Sequence, residues 1–457
     1  MPGYYVENFG CRATQADGAA LERQFEQQGL ARASAPALAS VVVINSCTVT
    51  AAADQDARAA IRRVRRQNPE AQIVVTGCYA QRVPEEVAAL PGVSVVIGNS
   101  HKHRLAEIAL NRETDVPASQ AFVSLAALTR QSDRPTTSDQ QPIFVSDIFA
   151  HTELIAAPVF DSANQRTRPN LKVQDGCDNR CSFCVIPYVR GQSRSLRLDR
   201  IIDEVNALVE SGYREVVISG INLGRWGRDL DAGPARCFED LIRAILSETS
   251  LQKLRISSVE PMDWSDELIA LVASSPRIAR HAHVPMQSGS DAVLRRMHRK
   301  YRPWHYREKI EKIRAAMPDA AIGADVMVGF PGETAAEFEA TRRIIDELPF
   351  TYLHVFTYSA RPGTPAAEMR NQVPVHIARE RNRVLRELAA EKKLAFMRGF
   401  VGKIVEAITL NVVGVDERGE FTEALTDNYL KLRLRGRNEA NRWMRARVHD
   451  VVNGALW

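Results

Sequence analysis

Cysteine is scarce in this chain, with seven in 457 residues, far too few for a disulfide-stapled secreted scaffold. Charge of one sign is lacking too: 60 Lys and Arg stand against 55 Asp and Glu, a net charge of +5. That balance excludes a histone-like polyanion binder, so any contact with nucleic acid has to come from local clusters. No uninterrupted apolar stretch approaches the ~18 residues of a membrane span. The opening residues, MPGYYVENFG, lack the basic-then-apolar pattern of a secretory signal. No internal repeat is visible. A cytoplasmic protein with reduced thiols and no membrane partner is expected. With 45% apolar and 25% charged residues the chain can bury a large core. Its length, about three times the usual ~150-residue domain, predicts roughly two to four domains.

The few cysteines are ordered. Cys177, Cys181 and Cys184 are spaced C-x3-C-x2-C, a pattern that composition alone would place on the order of 0.002 times in such a chain. Three thiolates with no nearby fourth Cys or His suit an iron–sulfur cluster with one iron free of protein. A closed zinc site would want four protein ligands. Cys11, Cys47 and Cys78 follow the strand-like runs Tyr4–Asn8, Val41–Asn45 and Ile73–Thr76, with helical sequence between. The first 110 or so residues therefore read as β/α units on a parallel sheet, with a further strand at Val93–Ile97. All three thiols fall at carboxyl ends of strands, where such sheets place ligands. A second cluster site is one reading; three ordinary core cysteines are the other. Cys237, in DAGPARCFEDL, has no partner and reads as structural.

Arg130–Pro142 contains no aliphatic side chain and reads as a surface loop. Six strand-like runs follow: Leu171–Gln174, Glu215–Ser219, Leu254–Val259, Ala282–Met286, Ile322–Val328 and Tyr352–Tyr358. Each precedes helix-compatible sequence. Six β/α units predict a partial barrel with an open side, where a closed barrel has about eight. Helical sequence from His376 to Met397 precedes short strands at Lys403–Leu410, Phe421–Leu425, Tyr429–Leu434 and Met444–Val452, which predict a small all-β barrel. The fold class is thus α/β with an all-β tail. Expected boundaries are 1–125 for the first domain, 126–165 for a linker, 166–395 for the barrel and 396–457 for the tail.

Several segments together resemble the radical S-adenosylmethionine methylthiotransferases. They are FGCRATQAD (Phe9–Asp17), NSCTVT (Asn45–Thr50), TGCYAQ (Thr76–Gln81), KVQDGCDNRCSFCVIPYVRGQSRS (Lys172–Ser195), GINLG (Gly220–Gly224), QSGSD (Gln287–Asp291) and GFPGET (Gly329–Thr334). The resemblance covers essentially the whole chain, in the order cluster domain, radical domain, TRAM domain. DGCDNRCSFCVIPYVRG and RISSVEP (Arg255–Pro261) look most like the subgroup acting on threonylcarbamoyl-adenosine beside the tRNA anticodon. Ala13-Thr14 and Asp178 depart from the family's frequent residues, and Cys237 has no counterpart role; no ligand cysteine is affected.

The resemblance implies two 4Fe-4S clusters and S-adenosylmethionine. Cys177, Cys181 and Cys184 would hold the cluster that delivers an electron to the cofactor, whose deoxyadenosyl radical removes hydrogen from the adenine. Cys11, Cys47 and Cys78 would hold a second cluster carrying the sulfur to be transferred. An unactivated C–H bond is out of reach of acid–base groups, so the cofactor supplies the chemistry. Phe183 resembles the residue bordering the cofactor's adenine, or is a core aromatic. Ser219, Gly220 and Asn222 end the second barrel strand, where the family contacts the methionyl amine; a tight turn is the plainer reading. Ser258 and Glu260 are placed to hold the ribose hydroxyls, unless Glu260 is half of a salt bridge. Gly329 and Gly332 permit close approach to a ligand or simply a turn. tRNA is the expected partner, together with an unidentified electron donor and sulfur source.

For tRNA, Tyr429, Lys431, Arg433 and Arg435 alternate with leucines, so period-2 geometry sends the cations outward. Arg437, Arg442, Arg445 and Arg447 continue the stripe, with Glu439 opposing; an ordinary solvated face is the alternative. Arg190, Arg194 and Arg197 are candidates for a substrate carboxylate, or else for phosphates. RRVRR (Arg62–Arg66) extends a basic helix face with Arg58. His281 and His283 form H-x-H, read as a packed strand pair before a metal site. Gly220-x3-Gly224-x2-Gly227 is not dinucleotide spacing. Competing functions are the same chemistry on isopentenyl-adenosine tRNA or a ribosomal-protein aspartate, and a non-enzymatic metal-bearing RNA-binding protein.

Overall fold

In this computed structural model, residues 3–110, 141–151, 154–155, 167–230 and 236–457 are described. The loop expected at Arg130–Pro142 lies, but for its last two residues, outside them. The chain forms two units: one comprises 1–157 with 176–178 and 185–192, and the other 158–175, 179–184 and 193–457. Among the described residues, no helix is long and apolar enough to cross a membrane.

The first unit is a six-stranded, wholly parallel sheet of β1 (Gly3–Asn8), β2 (Ala31–Arg32), β3 (Val41–Ser46), β4 (Gln72–Gly77), β5 (Val93–Ile97) and β6 (Ile143–Phe144), in the order β2-β1-β3-β4-β5-β6. β3 is buried at every residue because its near-continuous valines face helices on both sides. Val41 and Val43 pack with Leu21 and Phe25 of the helix Arg12–Gln27, while Val42 and Ile44 pack with Ile61 and Val64 of the helix Ala51–Gln67. β6 was not anticipated: it falls within the segment expected to be linker, and two residues carry too little pattern to declare a strand.

In the second unit, parallel ladders run β7 (Asn170–Lys172), β10 (Glu215–Ser219), β11 (Lys253–Ile256) and β12 (His281–His283), β13 (Ala321–Val328), β14 (Tyr352–Thr357), after the small antiparallel pair β8 (Gln174–Asp175) and β9 (Arg194–Ser195). A bridge between Ser258 and His283 joins the two triplets, giving the expected six-stranded arc. Alternate residues divide its faces. Leu171, Val216, Ile218, Leu254, Ile256, Ile322 and Ala324 join the apolar core shared with the helices. The intervening positions carry most of the arc's buried polar residues: Lys172, Glu215, Ser219, Arg255, His281 and His283. Gly323 belongs to that polar face, where a Cβ would lie 2.0 Å from Tyr352 Cζ. The tail forms a curled mixed sheet of β15 (Ile404–Asp416), β16 (Gly419–Thr426), β17 (Lys431–Arg435), β18 (Trp443–Arg447), β19 (Val451–Val452) and β20 (Ala455–Leu456), ordered β18-β15-β16-β17-β20-β19. Leu430 and Leu432 point into its core, as the alternation predicts.

Candidate active site

Register places the first three cysteines. Asn8 of β1 pairs with Asn45 of β3, and Asn45 with Thr76 of β4, so the chain leaves three adjacent strands at one level. Cys11 then caps the helix Arg12–Gln27, Cys47 follows β3, and Cys78 opens the helix Cys78–Arg82. Asn45 Nδ2 ties the layer together by donating to Asn8 Oδ1 and to the Thr14 carbonyl, each at 2.8 Å. Gly10, at φ +102°, passes so close that a Cβ would stand 2.7 Å from Cys47 Sγ; only glycine leaves that sulfur its place. Cys47 and Cys78 are buried and Cys11 is exposed. Burial, then the neighbouring Cys78 and Cys11, push the Cys47 thiol up to about 12. Asn99 Nδ2 lies 3.6 Å from Cys78 Sγ.

Cys177 belongs to the first unit, where its amide donates to the Gly191 carbonyl (3.0 Å). Cys181 and Cys184 belong to the second, joined by Cys184 N–H to the Cys181 carbonyl at 3.1 Å. Ser182 between them is pinned by donating to Arg296 O (2.7 Å) and Met297 O (3.1 Å). Arg299, which sequence reasoning missed, donates to Cys181 Sγ at 3.3 Å and pairs with Glu260. Glu260 is therefore held by Arg299, although burial still raises its carboxyl above the ordinary range. Among the described residues, the His, Cys, Asp and Glu gathered tightly enough for a single ion are His283, Asp325 and His354, within 4.8 Å of one another.

At the strand ends, Asn222 N–H donates to Gln174 Oε1 (2.7 Å), and a Cβ on Gly220 would meet that same oxygen at 2.8 Å. Ser219 Oγ is buried without a hydrogen-bond partner among the described residues, as is Oε1 of Gln287. Gln287 is held at φ +64°, an uncommon conformation for a side-chain-bearing residue. Such orphaned atoms at carboxyl strand ends fit a polar cofactor. Ser258 bridges to His283 by its backbone. Phe183 stands edge-on to Phe330 at 6.4 Å.

The structure engages several of the candidate residues within the protein itself. Gly329 and Gly332 sit in turns at φ +73° and +74°, one of the two readings of these glycines, and a Cβ on Gly329 would strike Ala378 Cβ of a helix at 2.5 Å. Arg190 is buried on Asp17 (3.0 Å), Arg194 is buried with Asp175 at 3.9 Å, and exposed Arg197 pairs with Asp199 (3.0 Å); each cation already has an acid. Tyr429 does not stand exposed for stacking: its ring packs on His281 (4.8 Å) and Tyr352 (5.7 Å), with Arg255 over it. The stripe is opposed by more than Glu439, because Arg433 bonds Asp416 (2.9 Å) and Lys431 lies 3.9 Å from Glu423. On the basic helix, Arg58 pairs with Glu86 and Arg63 with Glu7. His281 and His283 both share a hydrogen bond with the Tyr352 hydroxyl, at 2.7 and 2.9 Å. Cys237 caps the helix Phe238–Glu248 together with Asp240, a structural role.

Residues 3–98 match the family described as Uncharacterized protein family UPF0004, and residues 171–345 match the Radical SAM superfamily. The chain is 36% identical over 430 residues to the threonylcarbamoyladenosine tRNA methylthiotransferase MtaB of Bacillus subtilis, covering 93% of this chain and 89% of that one. It is 34% identical over 426 residues to the tRNA-2-methylthio-N(6)-dimethylallyladenosine synthase of Novosphingobium aromaticivorans, covering 91% and 87%. In fold it is similar to the radical S-adenosylmethionine methyltransferase TsrM of Kitasatospora setae, with a TM-score of 0.55 and 15% identity over 80% of this chain and 74% of that one. The chain belongs to the radical S-adenosylmethionine methylthiotransferase family.

Proposed function

We propose that this chain attaches a methylthio group to carbon 2 of N6-threonylcarbamoyladenosine beside the anticodon of tRNA. The observation that carries this is the pair of separate three-thiol sets, one in the loop after β8 and one on the tips of β1, β3 and β4. Cys177, Cys181 and Cys184 would hold one 4Fe-4S cluster, and Cys11, Cys47 and Cys78 the other. When bound, the clusters and S-adenosylmethionine supply the electron, radical, sulfur and methyl group that an unactivated aromatic C–H requires. The protein's part is placement. Arg299 sets a positive charge against the Cys181 sulfur, Ser219 and Gln287 offer unsatisfied polar atoms to the cofactor, and Phe183 contributes an apolar wall. Functionally the chain divides into a cluster domain whose sheet includes β6, a radical domain reaching to about residue 395 and a tRNA-gripping TRAM domain (396–457). An external electron donor and a sulfur source complete the reaction, which takes place in the cytoplasm.

A specific observation keeps a second substrate in view: relatives named for dimethylallyladenosine match at 34%, close to the 33–36% of those named for threonylcarbamoyladenosine. The deciding experiment incubates anaerobically reconstituted enzyme with tRNA bearing either modification and analyses the nucleosides by mass spectrometry. Turnover of the threonylcarbamoyl form is expected; preference for the isopentenyl form would transfer the assignment to the second substrate.

A further inference from the structure

A lysine is buried at the cysteine-bearing end of the first unit, which is rare unless the ammonium is paired. Lys102 is 3% exposed, and its Nζ donates to Asp17 Oδ2 at 3.0 Å and to Asn45 Oδ1 at 3.2 Å. Asn45 lies two residues before Cys47 on β3. The same oxygen of Asp17 also receives Arg190 Nη2 at 3.0 Å, so one carboxylate is shared by two cations. Arg190 reaches Thr14 Oγ1 at 3.5 Å, and that hydroxyl is 3.5 Å from Cys11 Sγ. Burial drives the Lys102 ammonium down, while Asp17 holds it up. The two cations thus border the cysteine-bearing strand tips, through Asn45 beside Cys47 and Thr14 beside Cys11, without being ligands. A buried ion pair seldom adds stability over an apolar side chain of the same size, so its retention here points to the anionic group beside it.

We propose that Lys102 and Arg190, linked through Asp17, form a fixed counter-charge that sets the reduction potential of the cluster held by Cys11, Cys47 and Cys78. Net charge around a cluster is one of the determinants of its potential. The inference rests on reading those cysteines as ligands, which iron content tests separately: wild-type chain with about four irons instead of about eight refutes that reading. The counter-charge is tested in holoenzyme. S-adenosylmethionine is added to separate the paramagnetic resonance signals of the two clusters, and a dithionite titration is followed. Lys102→Met is expected to disfavour reduction of this cluster about tenfold, a fall of ~59 mV for a one-electron couple. Asp17→Asn is expected to favour it by a similar factor, and the double variant to return toward wild type. A merely structural role would move both single variants the same way, and that result overturns the proposal, as does an unmoved midpoint in Asp17→Asn. If Lys102→Met does not accumulate as folded protein, the sign of the Asp17→Asn shift decides alone.

Discussion

Glu215 is fully buried at the start of β10, with Arg255 Nε 2.6 Å away and Arg168 at 3.5 Å. Burial alone would raise its carboxyl, but the Coulombic pull of Arg255 and then Arg168 prevails and holds it below the ordinary range. A depressed native value means that the pair's contribution is present above the unfolded value of ~4.3 and is lost as pH falls through the native one. Glu215→Gln should therefore cost about 3–5 kcal/mol near neutral pH, because Arg255 is left buried without its partner. In denaturant titrations the gap between wild type and variant should close as the pH is lowered below ~4; a gap independent of pH would mean the pair contributes no charge-dependent stability. Cysteine offers a second residue-level outcome. Replacing Cys11, Cys47 and Cys78 with Ala should halve iron from about eight and abolish methylthiolation, yet preserve reductive cleavage of S-adenosylmethionine. Full iron in that variant would remove the second cluster site.

β17 shows what one strand can and cannot declare about itself. Its two-faced pattern holds, with Leu432 buried and Lys431 and Arg435 exposed. The acids that oppose its cations come from other strands: Glu423 lies across from Arg433 in the ladder with β16, and Asp416 ends β15. Arg433 further stacks on the Phe421 ring at 4.4 Å. Its charge is engaged within the sheet, so changing Lys431, Arg433 and Arg435 together to Ser should flatten the salt dependence of tRNA binding by about one rather than three. Arg435 carries that remaining unit. Measured slopes of log affinity against log salt for the triple variant and for Arg435→Ser alone should therefore nearly coincide. A much larger loss in the triple variant would restore Lys431 or Arg433 as phosphate contacts.

Across the whole chain, what was legible was whatever repeats locally. β3, β5, β10 and β13 were readable because runs such as VVVIN and AIGADVMV need no knowledge of their neighbours, and C-x3-C-x2-C announces itself by spacing. The tips of β1, β3 and β4 were legible as a group because parallel βα order fixes which strand ends face the same way. What stayed hidden depended on partners distant in sequence. Arg299 meets Cys181 and Glu260 only through the fold, Tyr429 turns onto His281 by a left-handed backbone at φ +66°, and β6 exists only by pairing with β5. Three thiols drawn from three separate βα units, read as one ligand set, have a mechanical consequence as well. Each unit can open on its own while its strand tip is free, but a bound cluster would rivet the three tips into one cooperative block. Amide hydrogen exchange around residues 9–12, 46–49 and 77–80 should accordingly be slowed together when iron is loaded and released together when it is chelated. Oxidative loss of the metal would then be felt as a local melting at the carboxyl ends of the sheet's inner strands, exposing Cys47 and Cys78 just when they most need to be reached for repair.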